Sequence, residues 1–404
     1  MSADRSPISS ELSPLLDQFT SFNALDERIA RLLLEDFIAL VLGNLNDHID
    51  RSTRLGGAVE GAATLAATAS AVDLDDVDWT GPLHPGAVVW SAVIATAASA
   101  QVSGNRLLQA GILGYRVARS SAAHLGPEHA RRWHVTATAG ALGAAAGSSI
   151  VLGHNRELVE RALGLVVLNL GGLGQAALER SGAARATRAF AAAEGVLAAA
   201  MATSNLPTAR HPWSGIRGVE QVLFGGKLHQ SNYEDLGSSL SLRCYPVNGF
   251  IHSAVQATAA LNSAQLGEVC EIVWELPSQV LGLVDSTDYG DWWNAPLAAA
   301  RAFGTGSPWL VNVPGPWDHL AEIVRLRPVD LPVGSARVYV DSGSGVQSRE
   351  APRVTVSSDQ TYVAMVHQKW SKLLQVDPRK VIQTVDRMLG RAPDWSEISR
   401  DLLL

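Results

Sequence analysis

The sequence has little cysteine and a shortage of positive charge, and each shortage excludes classes of protein. Two cysteines in 404 residues, Cys244 and Cys270, cannot build a disulfide framework or a zinc site with four thiolates. They fit a reducing compartment, and the first residues show no secretory signal, so we expect a cytoplasmic protein. Lys and Arg number 32 against 39 Asp and Glu, a formal net charge of -7, so we expect no nucleic-acid partner.

Several functional motifs are also missing. The sequence contains no GxxxxGK[ST] phosphate loop, no HExxH and no GxSxG. The glycine-rich piece at residues 171–175 follows no predicted strand, which argues against a dinucleotide fold. His84, His134 and His252 do not have the spacing of a specific metal site, so we expect neither a metal nor another cofactor.

Long runs of leucine and isoleucine are absent too. Val135–Gly153 holds 19 residues without a charge, which is long enough to cross a bilayer, but Ala, Gly, Ser and Thr dominate it. Gly140, Gly143 and Gly147 recur at helical spacing, and small residues let helix backbones approach closely. We therefore predict a fully buried helix of a helical core and no membrane span. A second run, Ala162–Leu178, predicts another such helix.

What is present is a change of periodicity along the chain. Apolar spacing of three and four predicts helices at Ala24–Leu42 and at residues 57–70, 86–101, 104–124, 135–152, 156–178, 188–203 and 216–223. Alternation then predicts strands at Gly267–Pro277, Leu320–Arg327, Ala336–Val340 and Arg353–Val356, with helices at Ile251–Leu266 and Ala295–Phe303 between them. Helical periodicity returns beyond residue 362, where Pro378 suits the first position of a helix.

This order predicts a mainly α protein of two domains. A large all-helical domain would be built from both chain ends, residues 1–238 and 365–404. A smaller α+β domain, residues 239–364, would be inserted into it. Hydrophobic residues make up 47% of the chain and charged residues 18%, which is a globular composition.

An acidic loop is the first candidate for chemistry. Asp73, Asp75, Asp76 and Asp78 precede His84, and Pro85 can begin a helix directly afterwards. A carboxylate beside an imidazole raises its basicity and fixes its tautomer, which suits proton transfer. The alternatives are a capping loop or a solvated acidic turn. A calcium loop is disfavoured because the EF-hand spacing is missing.

Two further stretches contain candidate residues. His134 lies where the basic RRW segment meets the uncharged helix, where backbone dipoles favour a neutral imidazole that can act as a base. A hydrogen-bonded boundary histidine is the alternative. Around the Pro246 bend, Arg243 could clamp a carboxylate, with Asn248 and His252 nearby; a surface ion pair and a helix-face histidine are the alternatives. We assign residues 104–119 to a packing helix without chemistry.

Taken together, these stretches resemble the MmgE/PrpD family, which includes 2-methylcitrate dehydratase, cis-aconitate decarboxylase and iminodisuccinate epimerase. The blocks that carry the resemblance occur in the family's order along most of the chain. They are D-x-D-D at 73–76, HPG at 84–86 with AVVWSAVIATA after it, LLQAGILGYRVA at 107–118, WHVTATAGALGAAAGSS at 133–149 and RCYPVNGFIHSAVQA at 243–257. The resemblance implies a helical domain with an inserted α+β lid, catalysis without metal or nucleotide, and a homodimer.

The resemblance also implies roles for individual residues. It makes Asp73, His84 and His134 catalytic, and it gives Arg243 and His252 contacts with substrate. We add Asp76 and Asn248 to the substrate-binding set. Four positions depart from the family pattern: Val77 replaces a frequent Thr, Ala184 falls at a lysine position with Arg185 and Arg188 nearby, Asn248 replaces a histidine, and Ala295 and Pro296 lie near a lid tyrosine position.

These departures predict a less cationic, more apolar pocket, because buried carboxylates need paired cations. We therefore expect a small-molecule substrate with fewer carboxylates than citrate-like acids, or a larger apolar one. The leading function is a lyase or isomerase that removes or delivers a proton next to a carbonyl or carboxylate, by dehydration, decarboxylation or epimerisation. The alternatives are a repurposed cyclase or isomerase acting on an apolar secondary metabolite, and a non-catalytic family member.

Overall fold

The chain forms two compact units. The computed structural model describes residue 16 and residues 23–45, 57–179, 181–204, 208–209, 211–223, 236–261, 269–285 and 291–402. Its first unit comprises Met1–Leu242 with Val356–Leu404, and its second unit comprises Arg243–Thr355. The mainly α-helical architecture with a smaller α+β portion that the sequence predicts is confirmed. Among the described residues, no helix combines the length and the apolar character that a bilayer crossing requires.

Helices make up most of the first unit, with a short antiparallel ribbon in which Val77 pairs with Ser241. Up to residue 242 its elements are α1 Ala24–Gly43, α2 Ala58–Ala69, β1 Val77–Asp78, α3 Pro85–Ala100, α4 Gly104–Ala130, α5 Val135–Val151, α6 Arg156–Val167, α7 Gln175–Leu178, α8 Ala184–Met201, α9 Val219–Val222 and β2 Leu240–Ser241.

The centre of this unit is α5, as its uncharged sequence predicts. Every residue of the helix except Ile150 is buried. A Cβ at Gly143 would lie 2.5 Å from the carbonyl oxygen of Gly114 on α4, so only glycine permits this close approach of the two helices. The predicted role of the small residues in helix packing is therefore confirmed.

The sequence predicts a second buried helix at Ala162–Leu178, and the C-terminal part of this prediction is wrong. Helix α6 ends at Val167, and Leu168, Leu173 and Leu178 are 58%, 66% and 71% exposed. Beyond this end the backbone continues without helix as far as α7, and Gly172 in this segment has a φ of +101°, which side-chain-bearing residues rarely adopt. The carbonyl of Gly172 accepts the backbone N–H of His134 at 2.9 Å, so this segment binds the start of α5.

The second unit contains helices and a mixed four-stranded sheet. Its elements are α10 His252–Ala260, β3 Glu271–Pro277, α11 Ser278–Val284, α12 Ala295–Thr305, β4 Val324–Val329, β5 Ala336–Asp341 and β6 Val346–Ala351. The strand order is β4-β3-β5-β6, with β3 parallel to β4 and antiparallel to β5. The indole N–H of Trp274 on β3 donates to Thr258 Oγ1 at 2.7 Å, which fixes α10 to the sheet.

One predicted strand is wrong. Arg353–Val356 has no strand structure, and the edge strand is β6, whose residues are exposed except for Ala351. This strand is held by backbone pairing with β5 and buries little apolar surface, so it leaves no hydrophobic alternation in the sequence. Pro352 follows it directly and lacks the N–H that would continue the ladder. The assignment of residues 239–364 as a lid domain stays a prediction.

The last helices belong to the first unit. They are α13 Gln360–Lys372, α14 Pro378–Leu389 and α15 Trp395–Leu402, and Pro378 is a first-turn residue as the sequence predicts. The fully buried ammonium of Lys369 lies 2.8 and 2.7 Å from the two carboxylate oxygens of Asp36 on α1. It also donates to the carbonyl of Leu74 at 2.8 Å. Helix α13 thereby fixes the acidic loop in place.

Candidate active site

The acidic loop runs from α2 to α3 and turns sharply at its first aspartate. Asp73 has a left-handed backbone with a φ of 54°, a conformation that Asp adopts more readily than most residues. Asp75 and Asp76 are buried, at 1% and 4% exposure, whereas the Asp73 side chain is 35% exposed. Together with the bond from Lys369 to Leu74, this turn directs consecutive carboxylates to different surroundings.

His84 lies at the start of α3 with one ring nitrogen fixed. Its Nδ1 is 2.7 Å from the backbone carbonyl oxygen of Asp76, and a carbonyl can only accept, so Nδ1 carries the proton. In the neutral ring the lone pair is then on Nε2. A carboxylate oxygen of Asp75 lies 3.6 Å from the same Nδ1.

His134 lies at the start of α5 with the same tautomer for a different reason. Its Nδ1 is 2.6 Å from the hydroxyl oxygen of Thr187. That hydroxyl donates its one proton to the carbonyl of Ala184 at 2.7 Å, so it accepts from His134, and Nδ1 carries the proton here too. Burial, and then the positive charge of Arg188, lower the pKa of His134 to about 3. At neutral pH the ring is therefore a neutral base at Nε2.

A guanidinium completes the group. Arg188 on α8 is 5% exposed, and its Nη1 and Nη2 lie 3.6 Å from Asp75 and 3.8 Å from Asp73. We call Asp73, Asp75, His84, His134 and Arg188 the acid–base cluster. All of its members belong to the first unit, and the structure therefore brings the three predicted catalytic residues together.

Asp76 holds His84 through its backbone carbonyl, and its side chain is held by other residues of the protein. Its carboxylate accepts the Tyr115 hydroxyl at 2.7 Å and the Gly86 N–H at 2.9 Å. Burial raises the pKa of Asp76 to about 7, against the opposing effect of the Tyr115 bond. A Cβ at Gly86 would lie 2.5 Å from the Tyr115 oxygen, which explains the glycine of the HPG block. Both carboxylate oxygens therefore hold protein groups, and the predicted contact of Asp76 with substrate stays a prediction.

The other three predicted residues belong to the second unit. Arg243 is buried, at 3% exposure. The Asn248 side chain accepts the backbone N–H of Phe250 at 3.0 Å and so caps a short helical turn. Nε2 of His252 donates to the carbonyl of Val247 at 3.0 Å, and its ring packs 5.4 Å from that of Tyr245. Their roles in substrate binding stay predictions.

The sequence analysis missed residues that act through these histidines. The sequence identifies Asp75 only as one of four aspartates in the acidic loop. It identifies Arg188 only as a residue near Ala184, which falls at a lysine position of the family pattern. Tyr115 lies in the stretch assigned to packing alone, yet it holds Asp76. The missed signal was the pair Thr187 and Arg188, where a hydroxyl and a cation are adjacent in the first turn of an otherwise alanine-rich helix.

We next consider whether side chains of the described residues could bind a metal ion. Across the ranges that the structure describes, no group of three or more His, Cys, Asp or Glu side chains is arranged to hold an ion. What the cluster can do chemically is move protons, because two imidazoles with defined tautomers lie beside carboxylates of different exposure.

Comparison with known proteins finds a family for the segment that contains the cluster. Residues 50–231, which include the whole acid–base cluster, match the MmgE/PrpD N-terminal domain family. The resemblance to the MmgE/PrpD family that the sequence indicates is therefore confirmed for this segment of the chain.

A curated relative is the cis-aconitate decarboxylase-like protein oryM of Aspergillus oryzae, which is 33% identical over 167 residues. The matched segment is 39% of this chain and spans 33%, about a third, of the relative's length.

Proposed function

We propose that the protein is a cofactor-independent enzyme of the lyase or isomerase type, which moves protons next to a carbonyl or a carboxylate group. The observation that carries this proposal is the pair of imidazoles, His84 and His134, each with Nδ1 held by an oxygen acceptor. In each neutral ring the lone pair is therefore on Nε2, the nitrogen that would exchange a proton. The family match, and the decarboxylase-like name of the relative, support dehydratase or decarboxylase-type chemistry.

The surroundings of the two rings separate their roles. His134 is neutral at ordinary pH because burial and Arg188 lower its pKa to about 3, so it is the base that removes a proton from carbon. A carboxylate oxygen of Asp75 lies 3.6 Å from Nδ1 of His84, so we assign His84 as the acid that returns a proton. Pairs of titratable groups in contrasting environments are the usual basis of such assignments.

The charge balance of the cluster limits the substrate. Two carboxylates, Asp73 and Asp75, share the guanidinium of Arg188. A tricarboxylate would bring three negative charges to a group whose two aspartates already balance the guanidinium and a protonated His84, at a high cost in electrostatic energy. This supports the alternative of a repurposed isomerase or cyclase whose substrate carries at most one carboxylate.

Hydrogen–deuterium exchange tests the proposal before the substrate is known. A metabolite library is incubated with the enzyme in heavy water, and deuterium incorporation is followed by mass spectrometry. We expect His134→Ala and His84→Ala each to lower turnover on the best compound by about 10²–10⁴-fold, which is the usual contribution of a general acid or base.

A matched control is available in the same unit. His154, in the turn after α5, lies outside the cluster, and His154→Ala should keep wild-type turnover. Circular dichroism checks that each variant folds. Unchanged turnover in both cluster variants would refute the proposal and favour a non-catalytic role for the chain.

We further propose that the protein is a cytoplasmic homodimer. Support comes from an apolar stripe on α8, formed by Ala186, Phe190, Ala193, Leu197 and Ala200, in which Phe190 is 66% and Leu197 49% exposed. Residues spaced by three and four lie on one helix face, and an exposed apolar face is typical of an interface. A second copy of the same stripe would cover it.

A further inference from the structure

Arg188 is buried in an environment that does not satisfy it. Its nearest carboxylate oxygens, on Asp75 and Asp73, lie 3.6 and 3.8 Å away, beyond the range of about 2.7–3.2 Å for a hydrogen bond. Its Nε is buried without an acceptor, and no hydrogen bond joins the guanidinium to any residue in the described part of the chain. Arg188 is nevertheless buried, because only 5% of its surface is exposed.

Such an arrangement is costly for a structure to keep. A guanidinium carries five N–H donors, and each buried donor without an acceptor costs roughly 1–3 kcal/mol. Native proteins satisfy nearly all of their buried polar groups, so an exception calls for an explanation. The charge of Arg188 is balanced by two nearby carboxylates, but its buried Nε–H has no acceptor in the described part of the chain and can donate to a bound ligand.

Arg188 lies close to His134, so an acceptor bound by Arg188 would also lie close to His134. Thr187, the preceding residue on α8, holds His134 by the 2.6 Å bond to its Nδ1. The positive charge of Arg188 is the largest cause after burial of the lowered pKa of His134, so the two groups lie within electrostatic reach of each other. An oxygen bound by Arg188 would therefore lie beside the carbon from which His134 takes a proton.

We propose that Arg188 donates to the substrate carbonyl oxygen next to the carbon that loses its proton, and stabilises the negative charge that forms there. This inference rests on the proposed function. His134 Nε2 takes the proton, the C–H electron pair becomes the new carbon–carbon double bond, and the carbonyl π pair moves onto the oxygen. The charged guanidinium compensates this enolate, and protonated His84 returns a proton to the substrate.

The same geometry identifies the class of ligand. A neutral carbonyl oxygen, or one oxygen of a single carboxylate, gains donors from Arg188 without much added charge. A tricarboxylate meets Asp73 and Asp75 within 4 Å of the same guanidinium and is repelled. The site should therefore select small carbonyl compounds and monocarboxylates.

A binding experiment tests this site without a known substrate. The probe is acetohydroxamate, whose oxygen pair imitates an enolate, and tricarballylate serves as the comparison ligand. Binding to arginine-labelled full-length protein is followed by the NMR signal of the Arg188 Nε–H and by calorimetry. We expect wild type to bind acetohydroxamate with a Kd on the order of millimolar and to bind tricarballylate more weakly.

Two variants decide the outcome. Arg188→Met should weaken acetohydroxamate binding at least about tenfold, the effect of roughly one lost charge-assisted hydrogen bond, and Arg188→Lys should retain part of it. Arg185→Met is the matched control, because Arg185 is an arginine of the same helix that lines a groove with Ala63 and Phe190 and is not a member of the acid–base cluster. Equal binding by wild type and Arg188→Met, or no binding by wild type, would overturn the inference.

Activity separates this inference from the proposed function. On the compound found by deuterium exchange, Arg188→Met should lower turnover by about 10²–10³-fold, as loss of an oxyanion donor does, with the Arg185 control unaffected. If the His84 and His134 variants keep full turnover while Arg188 still binds the probe, the proposed chemistry fails and the oxygen site stands. If the histidine variants are inactive and Arg188→Met behaves as wild type, the inference alone fails.

Discussion

Removal of the Lys369 ammonium should both destabilise the first unit and loosen the acidic loop. Lys369→Met keeps the length of the side chain but deletes its charge, and it leaves the carboxylate of Asp36, 2% exposed, without its cation. Breaking one side of a buried ion pair costs about 3–5 kcal/mol. The Leu74 carbonyl loses its donor as well, at roughly 1–3 kcal/mol.

The expected loss is therefore about 4–8 kcal/mol in the free energy of unfolding, a large part of the roughly 5–15 kcal/mol that stabilises a typical protein. Urea unfolding followed by far-ultraviolet circular dichroism measures it. Lys372→Met is the control, because Lys372 is an exposed lysine on the same helix and its replacement should change stability little.

A double variant separates charge burial from packing. Asp36→Leu with Lys369→Met removes both charges, and replacing a buried pair by apolar groups is often close to neutral, so we expect the double variant to be more stable than Lys369→Met alone. The indole N–H of Trp370, which donates to Asp36 at 2.8 Å, limits the recovery. A loss below about 1 kcal/mol in Lys369→Met, or a double variant less stable than the single one, would refute the reasoning.

Three further outcomes are expected. Thr187→Val should lower turnover and change the tautomer of its histidine partner in ¹⁵N NMR spectra, and Thr187→Ser should restore both; an unchanged spectrum would contradict the tautomer assignment. Because burial raises the pKa of Asp76 from 3.8 to about 7, the folded protein holds a proton there that the unfolded chain releases. Stability of wild type relative to Asp76→Asn should thus fall as pH rises through that interval, and urea midpoints that keep a constant difference would contradict this. Combining Phe190→Asp with Leu197→Asp should halve the mass measured by light scattering, whereas Ile216→Asp, at a 93% exposed position outside the stripe, should not.

The elements that the sequence predicts well are those whose burial leaves a pattern. Helix α5 has no charge along its length because it is buried on all sides, and α14 starts at Pro378 because proline suits that position. The end of α6 could not be seen in this way. Its apolar run continues past Val167, and the segment that follows is held by a hydrogen bond from the His134 backbone N–H to the Gly172 carbonyl, a contact that composition does not reveal.

The candidate site divides along the same line. His84 and His134 stand in recognisable blocks and were found, whereas Thr187 and Arg188 come from a helix some 50 residues further along the chain than His134. Their roles depend on where α8 packs against α5, which local spacing does not encode. The tautomers of His84 and His134 likewise cannot be assigned without atomic positions. The assignment depends on which oxygen atom each ring nitrogen or hydroxyl group faces.

The anchor of the acidic loop has a consequence for how the chain is made. Asp36 and Lys369 are 333 residues apart, so a ribosome must translate the entire second unit before the ammonium that neutralises Asp36 emerges. Until then a nascent chain holds His84 and His134 beside a loop that lacks its Lys369 hydrogen bond and beside an uncompensated acid. A translation product that stops at residue 355 should consequently be retained by chaperones or degraded, although it contains every member of the acid–base cluster.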